Sequence, residues 1–312
     1  MVDGYHKTSR NTSGAEIREN VTDEIFQITP ESTPFYNSIG DTKTHSPLHG
    51  WQTRALAARS LNNQQIEGKV YAGNFQALNR PTRTSNLTQI FDKLPQVSRT
   101  RQSSEHIGIR DMMADQIAIS AVELKNDMEV NLLMQTLQTG QTDTGRAMGS
   151  FFEIVTTNVH DYSSELTFDE NNFNGLAEVI WAAGGNPSDV LVNSKLKRRI
   201  SQFTDSATKY FFSEDKRVTN SINMYESDFG VVSVRLSHDM KNTYDDSALE
   251  DPQLYMYDRT FFKKAWLDTP FVQRLPVISD AVNAALTAEL TLESGAQAAA
   301  GQMRAFRFHG LS

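Results

Sequence analysis

Residues Asp111 to Leu137 read DMMADQIAISAVELKNDMEVNLLMQTL, the longest stretch of the chain with the pattern of one uninterrupted helix. Met113, Ile117, Ala121, Leu124, Met128 and Leu132 recur at steps of three and four, which sets them in one stripe along an α-helix. Asp115, Gln116, Lys125, Asn126 and Glu129 fall on the other side, and no Gly or Pro intervenes. Asp111 stands at the end where the helix dipole favours an anion. At 1.5 Å per residue the helix would run roughly 40 Å, so it is expected to act as a backbone whose apolar stripe packs a core.

Upstream the chain is thin. Residues 1 to 20 are polar, with only Val2, Tyr5 and Ile17 to bury, and read as an arm. Val21 to Ile28 has the composition of a short helix that Pro30 ends, and Pro30 and Pro34 bracket a stiff, extended segment carrying Phe35, Tyr36 and Ile39 before Gly40. Strand-like pieces at Trp51 to Leu56 and Leu87 to Phe91 flank a polar stretch, 59 to 83, in which Ile66, Val70, Tyr71 and Phe75 are widely spaced. The two pieces are expected to form an extended ribbon, and a two-stranded ribbon is only marginally stable in water, so it needs a partner surface.

Downstream the chain alternates. Gly140, Gly145 and Gly149 mark a turn region and Phe151 to Val155 reads as a strand. Thr167 and Glu170 have capping-box spacing ahead of Phe173, Leu176, Ala177 and Ile180, with Gly184-Gly185 at the far end of that helix. Asp189 to Val192 is a buried strand; Asn193 or Ser194 caps a helix with Leu196, Ile200 and Phe203 inside. Residues 204 to 220 are a loop, Asn223 to Tyr225 and Val231 to Leu236 a hairpin around Asp228-Phe229-Gly230, and Leu254 to Tyr257 and Ala265 to Leu275 further strands. Leu286, Ala288, Leu290 and Leu292 alternate with Thr287, Glu289, Thr291 and Glu293, the period of a strand, although the alanines also permit a helix.

Composition narrows the function. The 312 residues are 38% hydrophobic, enough to bury a core in one large domain or two modest ones. With 38 acidic against 30 basic residues the net charge is -8, which argues against a protein built to neutralise phosphate. The absence of cysteine excludes disulfides, thiolate metal sites and cysteine nucleophiles. Met1 to Asn20 lacks the pattern of a signal peptide, and no apolar run approaches the ~20 residues of a membrane span, so a soluble cytosolic chain with no membrane partner is expected.

Chemical motifs are absent. Gly68-Lys69-Val70 lacks the rest of a phosphate-binding loop, and the seven histidines, of which His45 and His49 are the closest pair, show no zinc spacing. Asp169, Asn171 and Gly175 depart from a calcium loop and fit a helix start better. The acidic loop with Asp239, Asp245, Asp246, Glu250 and Asp251 is a solvated loop first and a cation site second. No catalytic residue, cofactor or metal site is expected, and an enzyme is not supported.

Several stretches, in order, resemble a known family. Ile28-Thr29-Pro30, Thr33-Pro34-Phe35, Ile39-Gly40 and His49-Gly50-Trp51-Gln52-Thr53 with Leu56-Ala57 look like the start of major capsid proteins of tailed bacteriophages. Thr84-Ser85-Asn86, Gln89-Ile90-Phe91, Val97-Ser98, the long helix with Glu123 and Glu129 to Leu133, and Arg146 to Gly149 are similar to the SU-ten-type podovirus capsid group, as are Gly184 to Pro187 and Ala288 to Glu293. The resemblance runs from about Ile25 onward.

It implies an α+β, Hong Kong 97-type capsid fold: an N-terminal arm (1–44), an extended E-loop (45–101), a peripheral domain (102–166 and 250–312) that includes the spine helix 111–137, and an axial domain (167–249). It also implies a structural protein that assembles as hexamers and pentamers into an icosahedral head shell around double-stranded DNA. Its partners would be copies of itself, a portal and scaffold or decoration proteins, with DNA held by weak, non-specific contact. Assembly would occur in the host cytoplasm. An encapsulin-like nanocompartment shell is the alternative within the fold, and a soluble enzyme the alternative outside it. Exposed aromatics on thin elements mark partner surfaces, which nominates Phe35, Tyr36 and Ile39 in the arm and Trp51, Tyr71 and Phe75 in the ribbon as inter-subunit contacts, with local packing nearly as good an account of Trp51. Lys69 and Lys93 lie in the expected ribbon, where relatives of this fold place a cross-linking lysine, but ordinary surface lysines explain both better.

Overall fold

The computed structural model describes residues 32–69, 78–105, 108–161, 168–203, 223–240, 252–276 and 280–304. In chain order these form α1 (Pro34–Ser38), β1 (Gly40–Lys43), β2 (Leu48–Thr53), β3 (Thr82–Leu87), β4 (Gln89–Lys93), β5 (Gln96–Ser98), α2 (Arg99–Ser103), α3 (Met112–Met134), α4 (Phe151–Ile154) and β6 (Val159–Asp161). There follow α5 (Glu170–Ala182), β7 (Asp189–Val192), α6 (Ser194–Ile200), β8 (Met224–Ser227), β9 (Gly230–Leu236), β10 (Pro252–Tyr257), β11 (Phe262–Leu275), β12 (Ala281–Ser294) and β13 (Ala300–Arg304).

The long helix forms as the periodicity requires. Asp111 is its N-cap, accepting from the N–H groups of Met113 and Ala114, and 23 residues follow before Gln135 turns extended. Met113, Leu124, Met128 and Leu132 are buried along the expected stripe, whereas Ala121 is exposed. Glu129 departs from the pattern: it was expected to face solvent and is fully buried. The C-terminal half of α3 is enclosed on a wider arc, because α1, α4 and both sheets converge there.

Two sheets carry the fold. The first runs β1-β11-β12-β4, with β5 also on β12; β1 is parallel to β11 and the other pairs are antiparallel. Leu286, Ala288, Leu290 and Leu292 are buried on one face of β12, so the period of two was a strand. The second, mixed sheet runs β6-β13-β10-β7-β9-β8. Its alternating residues serve two cores. Leu191, Tyr255, Tyr257 and Ala300 face the core of α3, α1 and α4, while Val190, Val192, Leu254, Met256 and Met303 face α5 and α6. The Tyr255 hydroxyl donates to the Leu133 carbonyl at 3.0 Å, satisfying an orphan acceptor in the last turn of α3 and tying the second sheet to the long helix.

Several expectations change. The segment around Pro34 is not extended: Pro34 occupies the first helical turn, where its missing N–H is harmless, and starts α1. Phe151 to Val155 is a helical turn rather than a strand, because an apolar run of five residues is too short to display a period and Phe151 is held among Phe35, Tyr255 and Phe262. Asp169, not Thr167, caps α5, accepting from Asn172 N–H at 2.8 Å; Thr167 lies outside the described residues. The Gly184 end of that helix is as expected, with φ +93° and Gly184 and Gly185 N–H groups returning to Trp181 and Ile180. Asn193 caps α6 and the hairpin turns at Asp228-Phe229, with Gly230 at φ +131°. Strands at 159–161, 252–257 and 300–304, assigned with the long helix to one domain, pair instead into the sheet that contains 189–192. The expected helix at 21–28, the loop at 204–220 and most of the acidic loop at 239–251 lie outside the described residues.

Candidate assembly interface

Two elements carry the nominated contact residues that the structure describes: α1 with the residues that lead into β1, and the ribbon of β2 and β3. The first is anchored by buried charge. Thr33 makes no side-chain cap at the start of α1; the carboxylate of Glu129 does so from α3, accepting from Phe35 N–H at 2.8 Å and Tyr36 N–H at 2.6 Å. Burial pushes the Glu129 carboxyl up to about 7, against the pull of those two donors. At the other end of α1, Lys264 Nζ donates to the Tyr36 carbonyl at 2.6 Å, lies 3.4 Å from Asp41 and stands 4.0 Å from the centre of the Tyr36 ring. Burial lowers its pKa and Asp41 opposes that shift. β1 then adds to the sheet in register with Lys263 to Trp266.

The ribbon is pinned at its root. β2 and β3 pair from Leu48 with Leu87 to Thr53 with Thr82. Asn86 is buried and clamps three segments: its amide donates to the carbonyls of Gly149 and Leu292, both at 2.9 Å, and its oxygen accepts from the N–H groups of Gly149 at 2.8 Å and Leu87 at 2.9 Å. A side chain at Gly149 would meet that oxygen at 3.3 Å, so the glycine permits the clamp. Glu289 accepts from Thr88 and Arg146, and His49 Nε2 meets Glu293 at 2.8 Å. Beyond this root the ribbon overhangs a groove of about 770 Å³ lined by Gln52, Thr84, Phe261 and Ser294 to Ala298.

The nominated contact residues divide into three groups. Phe35 and Ile39 belong to the subunit's own core, at 0% and 4% exposure, with Phe35 edge-on to Phe151 and Tyr257; they offer no surface to a neighbour. The reason is α1, which folds the chain back where an extended arm was expected. Tyr36 and Trp51 are half-buried; Trp51 sits 5.7 Å from His49 and its buried indole N–H has no partner among the described residues. Tyr71 and Phe75 lie outside the described residues. Sequence reading missed Leu56, Leu61 and Leu78, which with Ile66 are 80–99% exposed along the distal ribbon. Scattered leucines in a polar stretch carry no period, so only their isolation from any local apolar partner could have marked them.

Lys93 is in β4, not the ribbon, and pairs with Asp127 at 2.7 Å and Glu123 at 3.7 Å on α3. Asp169 and Asn171 mark the start of α5, Lys69 donates to Gln65, and among the described residues no three His, Asp or Glu gather in a metal-binding group. No helix among them is long and apolar enough to cross a membrane.

Comparison with known proteins gives three findings. The sequence profile of a family described as SU10 major capsid protein matches residues 4–306. A curated relative, the major capsid protein of Escherichia phage Phieco32, is 32% identical over 111 residues, 35% of this chain; the match spans 30% of that relative's length. Among solved structures, one from Microbacterium phage Oxtober96 superposes with a TM-score of 0.65 at 10% identity over 93% of this chain and 96% of its own. The capsid of a native GTA particle gives 0.66 at 11% identity over 94% and 97%, and one from Mycobacterium phage Adephagia 0.62 at 11% over 96% and 98%.

Proposed function

Because the chain belongs to the SU10 major capsid protein family and has the Hong Kong 97-type capsid fold, we propose that it self-assembles as hexamers and pentamers into the icosahedral head shell of a tailed bacteriophage, enclosing double-stranded DNA. The ribbon carries this reading: pinned by Asn86, Glu289 and Glu293, it holds Leu56, Leu61, Ile66 and Leu78 away from the chain's own core, an arrangement that needs an adjacent copy. In this reading β2 and β3 form the E-loop, α3 with the first sheet the peripheral domain, and the second sheet with α5 and α6 the axial domain. The anchor at Phe35 leaves the preceding residues as the arm, which spans up to ~110 Å when extended.

Linked weak contacts act together, so the shell is stable while each pairwise contact stays weak enough to correct errors. The net charge of -8 leaves packaged DNA held by confinement and weak contact rather than by phosphate neutralisation. A portal and scaffold or decoration proteins complete the partners, and assembly takes place in the host cytoplasm before the head becomes part of the virion. Negative-stain microscopy and analytical ultracentrifugation of the full chain test the reading. Closed shells, tubes or capsomer-sized rings are expected, with nucleic acid rather than enzyme cargo in particles from infected cells; a catalytically active monomer would refute it.

A further inference from the structure

The first sheet is covered unevenly on the face that meets α3. The helix packs over β12 and β4, and β1 pairs with β11 only as far as Trp266. Beyond that point β11 continues to Leu275 with no strand on its outer side among the described residues. Val272 pairs with Leu286 and Arg274 with Ala284, and directly opposed residues share a face. Leu286 and Ala284 are buried toward α3, so Val272 and Arg274 also lie on that side, yet both are exposed, Val272 by 47%.

The result is an open apolar cleft between α3 and the distal half of β11. At its inner end is a notch of about 170 Å³, with the buried Leu124, Met128 and Leu286 beneath and Tyr36, Ala121 and Pro270 around the mouth. Lys125 also lines the notch. Arg274 marks the far end, where its charge is felt by Asp111, the cap of α3. Between the two ends the exposed Ala118 and Ala114 follow Ala121 at steps of three and four, and keep the helix side low over about 10 Å.

The occupant is close by in the chain. The Phe35 N–H is held on Glu129, eight positions along α3 from Ala121, or about 12 Å. The seven steps from Ile28 to Phe35 span up to ~25 Å extended, so Ile28 reaches the notch. Residues 21–28, outside the described residues, read VTDEIFQI. In a helix Val21, Ile25 and Ile28 share one face, the spacing by which an apolar helix is read in a groove, and they span about 10 Å, the length of the cleft. Asp23 and Glu24 oppose in sign the cations at the two ends of the cleft. We infer that residues 21–28 of the same chain seat as a helix in this cleft, with Ile28 in the notch and Ile25 and Val21 toward Val272. Residues 1 to 20 are then the free arm, and its reach falls from ~110 Å to ~70 Å.

The chain has no cysteine, so an introduced pair supplies its only thiols. Ile28→Cys with Ala121→Cys tests the notch. Ile28→Cys with Val130→Cys is the control, since Val130 is exposed beside Glu129 but nine positions from Ala121 and on the opposite face of α3. Under copper–phenanthroline in the dissociated full-length subunit, the first pair closes within one chain at least about fivefold faster than the second. Closure is read as a band of monomer size on a non-reducing gel and the loss of two hydrogens in intact mass. Adding Val21→Ser and Ile25→Ser removes the apolar face but keeps the tether, and slows closure about fivefold or more. The thermal midpoint of each reduced variant is the folding control. Equal rates for the two pairs, closure indifferent to the serines, or disulfides that join separate chains instead overturn the inference, the last by giving the cleft to a neighbouring copy. The measurement needs no particle, so its failure and the failure of the shell reading are separate results.

Discussion

Glu129 ties the stability of the subunit to pH. Its carboxyl is raised from an ordinary value of 4.5 to about 7, chiefly by burial, with the Phe35 and Tyr36 N–H groups pulling it back. A group whose folded pKa lies above its unfolded one binds its proton more tightly in the folded state. The stability it contributes is thus fully present below about pH 4.5 and is lost as pH rises through about 7. At about 1.4 kcal/mol per pH unit the whole window carries roughly 3 kcal/mol, of which about 2–3 kcal/mol falls between pH 5 and pH 8. Glu129→Gln removes the titration while keeping the shape and one acceptor for the α1 donors. It leaves the second donor facing an amide, at a pH-independent cost of about 1–3 kcal/mol. Denaturant unfolding of the dissociated subunit at pH 5, 6, 7 and 8 measures both terms. The unaltered protein should lose about 2–3 kcal/mol more than Glu129→Gln over that range. Subtraction of the two curves cancels titrating groups that do not interact with Glu129; Asp239, which burial also raises and whose charge helps raise Glu129, stays coupled to it and is part of the difference. Parallel curves for the two proteins would refute the assignment of a buried, proton-linked carboxylate at the foot of the arm.

Three other perturbations separate folding from assembly. Asn86→Ala strands buried backbone groups on Leu87, Gly149 and Leu292, and should lower subunit stability by about 2–4 kcal/mol in the same unfolding assay. Leu56→Ser, Leu61→Ser, Ile66→Ser and Leu78→Ser combined touch only exposed side chains, so the thermal midpoint should stay within about 2 °C while particle yield, counted by microscopy, collapses. Deletion of residues 1 to 20, which precede the Phe35 anchor, should leave a folded subunit and weaken or misdirect particles; particle yield and stability equal to the full chain would remove the arm from assembly.

What could be read from the sequence was what is decided within a few residues of chain. The 3.6-residue stripe and Asp111 specified α3, Gly184 the end of α5, Asn193 the start of α6, and the period of two specified β12, because periodicity, capping and turn conformation depend on neighbours three or four positions away. The need of a thin ribbon for a partner was legible too, since two strands bury too little to stand alone.

Tertiary structure decided which surface each element meets. Phe35 and Ile39 look adhesive in sequence, and only the return of the chain onto Glu129, 94 residues from Phe35, and onto Lys264, 225 residues from Ile39, turns them into core. The same holds for β6, β10 and β13, whose short sequences fit either sheet and whose membership is set by pairing with β7 and with one another. A strand's pattern tells how many of its faces are buried but names no partner; that choice belongs to distant backbone donors and acceptors and to the packing of the two cores they divide.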